Sequence, residues 1–236
     1  MNKVNIKVRR ALSIIIPSFN EGKTLKEIVN KVLSFKTIYN KEVIIVDDGS
    51  TDETRQILKR FPSSKNIKVI VNSKNLGKGA SVTRALKIAT GDIVVIQDAD
   101  LEYDPRDIPK ILALFDNKNV KVVYGSRILG NNPSSHWTFN LGGQLVTLVT
   151  NILFRTNITD EPTGYKAMRR DVLKNLKLKS QGFEFCPEIT AKIAKQKIKI
   201  WEVPISYHPR PVKEKKIKWQ DGVAAIFYLL KYRITD

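Results

Sequence analysis

Apolar positions along this chain follow two rhythms, and their alternation outlines the fold. Short, predominantly apolar runs rich in β-branched residues occupy 12–16, 43–46, 67–71, 93–97 and 120–124. Such runs suit strands buried on both faces of a parallel sheet. Between them apolar residues recur at helical spacing. Leu25, Ile28, Val29, Val32 and Leu33 make one stripe, Ile57 and Leu58 mark a short helix, and residues 77–89 form a helix rich in small side chains. Ile108, Ile111, Leu112 and Phe115 mark a fourth. Pro17 is expected to stop the first strand. Thr24 with Glu27, and Ser50 with Glu53, read as capping boxes. Gly91 reads as the residue just past the third helix, and Asp104-Pro105 as the start of the fourth.

A β-α-β-α order implies a mostly parallel, Rossmann-like sheet with helices on both faces. Beyond Gly125 the rhythm is lost. Residues 139–154 read as a helix interrupted by Gly142-Gly143, 185–194 as another, 198–203 as a strand and 222–232 as a last helix. No repeat or low-complexity linker divides the chain. One continuous domain over 12–236 is expected after an extension at 1–11.

Composition narrows the class without choosing a function. Hydrophobic content of 42% and charged content of 27% are those of a folded globular protein. The net charge of +18 predicts attraction to polyanions: nucleic acid, anionic lipid or phosphorylated substrates. No zinc pattern, basic heptad region or RNA-binding signature accompanies the lysines, so nucleic acid is not expected as a partner. The single cysteine, Cys186, excludes a disulfide framework and agrees with a cytoplasmic setting. No secretory signal precedes Leu12, and no stretch has the ~20 apolar residues of a spanning helix. Trp137, Phe139, Leu141, Leu145, Leu148, Ile152 and Phe154 could form either core or a membrane-facing surface, as could Trp219, Ile226, Phe227, Leu229 and Leu230 beside Lys215, Lys216, Lys218, Lys231 and Arg233.

The strand ends carry the chemistry. Residues 93–97 deliver Asp98-Ala99-Asp100 to the carboxyl edge of the sheet, where ligands of open α/β folds bind. Two carboxylates so close repel unless a cation lies between them, and hard oxygen donors suit Mg²⁺ or Mn²⁺ carrying phosphates. The first strand leads to Pro17-Ser18-Phe19-Asn20-Glu21, and the second to Asp47-Asp48-Gly49-Ser50. Neither has a dinucleotide or P-loop glycine pattern. Phosphates must therefore be met by metal and basic side chains, while acids after the second strand suit a ribose or a base edge. Ser50 also reads as a helix cap. His136 and His208 lack metal-ligand spacing and read as solvated or packed, and Cys186 reads as a small buried hydrophobe.

These segments, with Asn75-Leu76-Gly77-Lys78-Gly79 and Leu101-Glu102-Tyr103-Asp104-Pro105, resemble family 2 glycosyltransferases, which adopt the GT-A fold. Gly125-Ser126-Arg127, Pro162-Thr163-Gly164-Tyr165-Lys166, Gly182-Phe183-Glu184-Phe185, the run from Glu202 to Arg210 and that from Lys215 to Gly222 are similar to the dolichol-phosphate-mannose-synthase branch. The resemblance implies a nucleotide-sugar-binding half at 12–127 and an acceptor-binding half with a basic loop at 128–236. It places Pro17, Phe19, Glu21, Asp47 and Asp48 on the nucleotide, with Ala99 between the donor-side acids. Asp98, Asp100 and Glu102 would hold the metal. Arg127 would meet a phosphate, while Arg210 and Lys216 would close over the diphosphate.

The expected reaction is metal-assisted, inverting transfer of a hexose from a nucleotide diphosphate sugar to a polyprenyl or dolichyl phosphate, with peripheral contact at the cytoplasmic face of a membrane. A phosphate acceptor is already ionised and needs no strong base. A hydroxyl acceptor needs one, and Asp160, Glu161, Glu184 and Glu188 are the downstream candidates. Glu161 and Glu188 also read as solvated carboxylates. A third reading is a non-catalytic module that binds polyanions.

Overall fold

The computed structural model describes residues 10–235 except 62, 63, 65, 134–136 and 218; His136 and Lys218 therefore lie outside the described residues. Seven strands form one sheet in the order β3-β2-β1-β4-β6-β5-β7. They are β1 (Ala11–Ser18), β2 (Asn40–Asp47), β3 (Ile67–Val71), β4 (Ile93–Ile96), β5 (Val122–Ser126), β6 (Lys166–Arg169) and β7 (Ile200–Pro204). All neighbours pair in parallel except β6, which is antiparallel to both β4 and β5.

Helices cover both faces, as the alternation predicts. One face buries α1 (Leu25–Ser34), α2 (Thr54–Lys59) and α4 (Ile108–Leu114) against Ile14, Ile16, Val43, Ile45 and Val95. The other buries α3 (Lys78–Leu86), α6 (Arg170–Asn175) and α7 (Phe185–Lys195) against Ile15, Ile44, Val94 and Tyr124. Residues 14–16, 43–46 and 93–96 of the central strands are apolar and buried at every position because helices cover both faces. Outside this sandwich α5 (Trp137–Phe154) packs on α8 (Trp219–Ile234). Among the described residues no helix is long and apolar enough to cross a membrane.

Local signals fared unevenly. Pro17 does not stop β1, which pairs with β2 as far as Ser18 opposite Asp47. The Ile15 carbonyl accepts from Gln97 on the β4 side, while Ser18 accepts from Asp48 on the β2 side. Backbone groups alternate sides, so the missing Pro17 N–H faces β4, whose pairing has ended at Ile96. Neither capping box forms. The Thr24 hydroxyl donates to Glu21 at 3.1 Å, and Glu27 pairs with Lys31 instead. Ser50 lies before the helix: its hydroxyl accepts from the Asn20 N–H, and Asp52 accepts from Thr54. Asp104 does cap its turn, accepting from the Arg106 N–H. Gly91 is a packing residue, its N–H donating to Ser13 Oγ at a point where any side chain would strike the β1 backbone.

β6 and α6 have no counterpart in the predicted elements. β6 has four residues and both ends are polar, so no apolar run marks it. Its reversed direction matters for the site. It brings the start of the strand, Gly164-Tyr165-Lys166, to the same edge as the carboxyl ends of β1, β2, β4, β5 and β7.

Candidate active site

The turn after β4 is built to hold two acids outward. Ala99 is buried in the core, and Leu101 takes a left-handed φ of 63°, which is costly for an apolar residue. Asp100 accepts from the Glu102 N–H at 3.1 Å, closing the turn. Tyr165 and Gln97 are joined by a hydrogen bond beneath it, and Gln97 Nε2 donates to the Asp98 carbonyl. Gly164 lies against the Asp98 carboxylate so closely that any side chain there would displace it.

Every acid at this edge meets a donor from the chain itself. Asp98 pairs with Lys78 at 2.5 Å. Lys78 opens α3, where a cation opposes the helix dipole, and Asp98 supplies the compensating charge. Asp100 pairs with Arg210 Nη2 at 3.0 Å, and Arg210 Nη1 lies 3.3 Å from Glu21. Lys216 pairs with Glu21 at 2.7 Å and donates to the Phe19 carbonyl. Arg210 Nε is buried without a partner. One guanidinium thus spans the ends of β1 and β4. Burial, then repulsion from Asp98 and Glu102, pushes the Asp100 carboxyl up to about 7.

The nucleotide-side acids are held more firmly. Asp47 is fully buried, accepting from the Ser50 N–H and from Arg55 Nε at 3.1 Å. Asp48 accepts from Asn72 Nδ2 and from the Leu76 and Gly77 N–H groups, which shapes the loop leading into α3. Pro17 and Phe19, half-buried at the end of β1, border the same edge, where the Phe19 ring centre lies 5.8 Å from Lys216 Nζ.

The Glu102 carboxylate accepts from the Arg210 N–H at 2.8 Å and from the Tyr207 hydroxyl at 3.3 Å. Among the described residues no three His, Cys, Asp or Glu side chains converge on one metal position. The Arg127 guanidinium forms a two-pronged pair with buried Asp160 at 2.6 and 2.8 Å. One expectation is corrected, the solvation of Glu161 and Glu188, which are fully buried. Glu188 accepts from the Lys179 and Ser180 N–H groups and pairs with Lys192. Burial pushes the Glu161 carboxyl up, and Thr190 donates to it. Glu184 accepts from the Gln181 and Gly182 N–H groups.

Asp98 and Asp100 nevertheless fit a divalent cation. They are hard oxygen donors, one residue apart, and burial followed by the neighbouring Asp98 and Glu102 carboxylates makes ionising Asp100 costly, a cost that a cation between the acids would relieve. Residues missed in the sequence are Lys78, Lys215 and Tyr207. Lys78 carried a signal, a cation at a helix start. Lys215 and Tyr207 carried none, because their positions come from contacts across the fold. Tyr207 bridges in antiparallel fashion to Tyr103, tying the acidic turn to the basic loop. His208 is exposed, and Cys186 is half-buried, with burial pushing its thiol up.

Comparison with known proteins agrees with this arrangement. The model of glycosyl transferase family 2 matches residues 13–177. A dolichol-phosphate mannosyltransferase from Pyrococcus furiosus is 31% identical over 94% of this chain and 64% of its own length, so the chain spans just under two-thirds of that relative. A UDP-N-acetylglucosamine–dolichyl-phosphate N-acetylglucosaminyltransferase from Methanococcus voltae is 33% identical over 83% of this chain and 85% of its own. Among solved structures, glucosyl-3-phosphoglycerate synthase from Mycobacterium tuberculosis, in complex with Mn²⁺, uridine diphosphate and glucosyl-3-phosphoglycerate, superposes with a TM-score of 0.72. It covers 96% of this chain and 81% of that one at 19% identity, which establishes the shared GT-A architecture. This chain belongs to glycosyl transferase family 2.

Proposed function

We propose that the chain transfers a hexose, with inversion, from a nucleotide diphosphate sugar to a polyprenyl or dolichyl phosphate. The observation that carries this reading is Arg210, which reaches from the basic loop to Glu21 at the end of β1 and to Asp100 after β4. A cation bridging the nucleotide side and the acidic turn suits a diphosphate held between them. The names of the Pyrococcus and Methanococcus relatives support a lipid phosphate acceptor, and the Mn²⁺ and uridine diphosphate in the mycobacterial structure support the donor class.

Asp98 and Asp100 would hold Mg²⁺ or Mn²⁺, whose charge offsets that developing on the leaving diphosphate. Lys78, Arg210 and Lys216 exchange their carboxylates for diphosphate oxygens and stabilise the same developing charge. The acceptor phosphate oxygen forms its bond to the anomeric carbon from the opposite face as the bond to the diphosphate oxygen breaks. The products are a lipid-phosphate sugar and a nucleoside diphosphate, and no proton has to move. The state of the candidate bases supports this choice over a hydroxyl acceptor. Asp160 is locked to Arg127, and Glu184 and Glu188 are engaged by backbone donors.

The outer helices support peripheral contact with a membrane. Leu141, Leu145, Leu148 and Ile152 of α5 are exposed, as are Trp219, Val223, Phe227, Leu230 and Ile234 of α8. These positions form apolar stripes bordered on α8 by Lys231 and Arg233. The test incubates a panel of nucleotide sugars with Mn²⁺ or Mg²⁺ and either polyprenyl phosphate or polyprenol. A metal-dependent lipid-phosphate sugar is expected. Transfer to the hydroxyl lipid alone would overturn the acceptor assignment, and absence of metal-dependent nucleotide-sugar binding would favour a non-catalytic polyanion binder.

A further inference from the structure

The cations at the carboxyl edge fall into two groups. Lys78, Arg127, Arg210 and Lys216 each pair with a carboxylate of the chain. Lys215 does not: among the described residues no carboxylate lies within ion-pair distance of its ammonium. Its surroundings are aromatic instead. Nζ lies 4.7 Å from the Phe139 ring centre and 5.9 Å from that of Tyr207, and 3.5 Å from the Tyr207 hydroxyl. That hydroxyl already donates to Glu102. Phe139 belongs to the first turn of α5, so Lys215 stands where the outer helices meet the donor edge.

The negative charge nearest Lys215, Glu102, acts at longer range across the Tyr207 hydroxyl, so this half-buried ammonium gains from an anion that arrives in direct contact. The other cations near this recess cannot serve a second anion without giving up a partner. Arg127, whose guanidinium carbon lies 5.2 Å from the same Tyr207 ring, is committed to Asp160. Lys215 can re-aim three donors on a flexible stem, which suits a phosphate approached from the α5 side.

We propose that Lys215, seated against Phe139 and Tyr207, binds the phosphate of the acceptor. The assignment rests on the lipid-phosphate reading above and adds to it the residue that recognises the acceptor headgroup. The donor-side pairs of Arg210 and Lys216 are separate from it, so the two substrates are gripped by adjacent residues of one loop with different partners.

The test measures transfer kinetics with donor and acceptor varied separately. It also measures flotation of the protein, without donor, on phosphatidylcholine vesicles carrying either polyprenyl phosphate or polyprenol. Lys215→Met is expected to raise the acceptor KM about tenfold to a hundredfold, the range set by loss of one charge-assisted hydrogen bond. The donor KM stays unchanged, and the extra binding to phosphate-bearing vesicles disappears. Lys215→Arg recovers part of both. Lys118→Met, which removes a charge from the exposed turn before β5, changes neither. If wild type prefers the phosphate vesicles and Lys215→Met keeps that preference and its acceptor KM, the Lys215 assignment fails alone. A donor KM rising in step with the acceptor KM also overturns it. If wild type binds both vesicles equally and transfers only to a hydroxyl, the acceptor reading fails and takes this assignment with it.

Discussion

The two edges of the sheet treat buried carboxylates in opposite ways. At the amino edge Glu42 stands nearly alone and accepts from Ser13 Oγ at 2.5 Å, from the Thr90 hydroxyl and N–H, and from the Gly91 N–H. It also pairs with Lys68 at 2.8 Å. Burial opposes its ionisation, but Lys68, Ser13 and Thr90 win and hold its carboxyl down at about 2. At the carboxyl edge Glu21, Asp98, Asp100 and Glu102 crowd together, and burial and repulsion push Asp100 up to about 7. One edge satisfies a single charge with many donors. The other crowds several acids against Lys78, Arg210 and Lys216, pairs that a bound cation and a bound anion could take over. The first arrangement serves stability and the second serves binding, so substitutions at the two edges should separate activity from stability.

The largest separation is expected at the acidic turn. Asp98→Asn and Asp100→Asn should each lower kcat for sugar transfer by about a thousandfold, the upper range for one electrostatic contributor. The urea unfolding midpoint of Asp100→Asn should hold or rise, because it removes a buried charge that two neighbours repel. A loss of activity accompanied by an equal loss of stability would show that the turn is merely structural.

A second variant probes the acceptor side, where Arg127 pairs with Asp160. Arg127→Met leaves Asp160, 2% exposed, as an uncompensated buried charge. The expected cost is about 3 kcal/mol of unfolding free energy, the low end for breaking a buried pair. Arg127→Met combined with Asp160→Leu should recover part of it. If Arg127→Met unfolds like wild type but loses affinity for acceptor phosphate, the direct phosphate contact returns to Arg127.

These contrasts also explain what could be read from sequence. Strands β1 to β5 are legible because each holds a cluster of apolar, mostly β-branched residues, and the acids after β1, β2 and β4 follow within a few residues. The donor edge was therefore visible as Glu21, Asp47-Asp48 and Asp98-Ala99-Asp100. Three features were not. β6 is short and polar at both ends, so its reversed entry beside Asp98 leaves no periodicity. The capping boxes failed because loop donors and acceptors found other partners, Thr24 with Glu21 in its own loop and Ser50 with Asn20 in another. The basic loop reaches its partners across long sequence separations. Nothing in Arg210 or Lys215 as letters says that one meets carboxylates and the other aromatic rings. For α5 the ambiguity between core and outer surface is resolved by α8, which covers one side and leaves Leu141, Leu145, Leu148 and Ile152 exposed.

The amino edge yields the smaller predictions. Glu42→Gln keeps the shape but leaves the Lys68 ammonium without its anion and weakens four hydrogen bonds. A loss of about 2 kcal/mol in unfolding free energy is expected, with kcat and both KM values unchanged, since no substrate group lies at this edge. A drop in activity larger than the drop in folded population would break the division between edges.

The smallest effect is the acid dependence of wild type against Glu42→Gln. The folded-state pKa of Glu42, about 2, lies below its ordinary value of 4.5. A depressed carboxyl stabilises the fold when ionised, so its contribution is fully present above pH 4.5 and is lost as pH falls toward about 2. The wild-type advantage over Glu42→Gln should therefore shrink by on the order of 1 kcal/mol across that window, allowing for partial solvent screening at Lys68. Urea unfolding followed by tryptophan fluorescence measures both proteins in the same buffers. Curves that stay parallel through the window would mean that Glu42 is protonated or unpaired in the folded protein. The amino edge would then owe its stability to the Ser13, Thr90 and Gly91 backbone packing rather than to an ionised carboxylate.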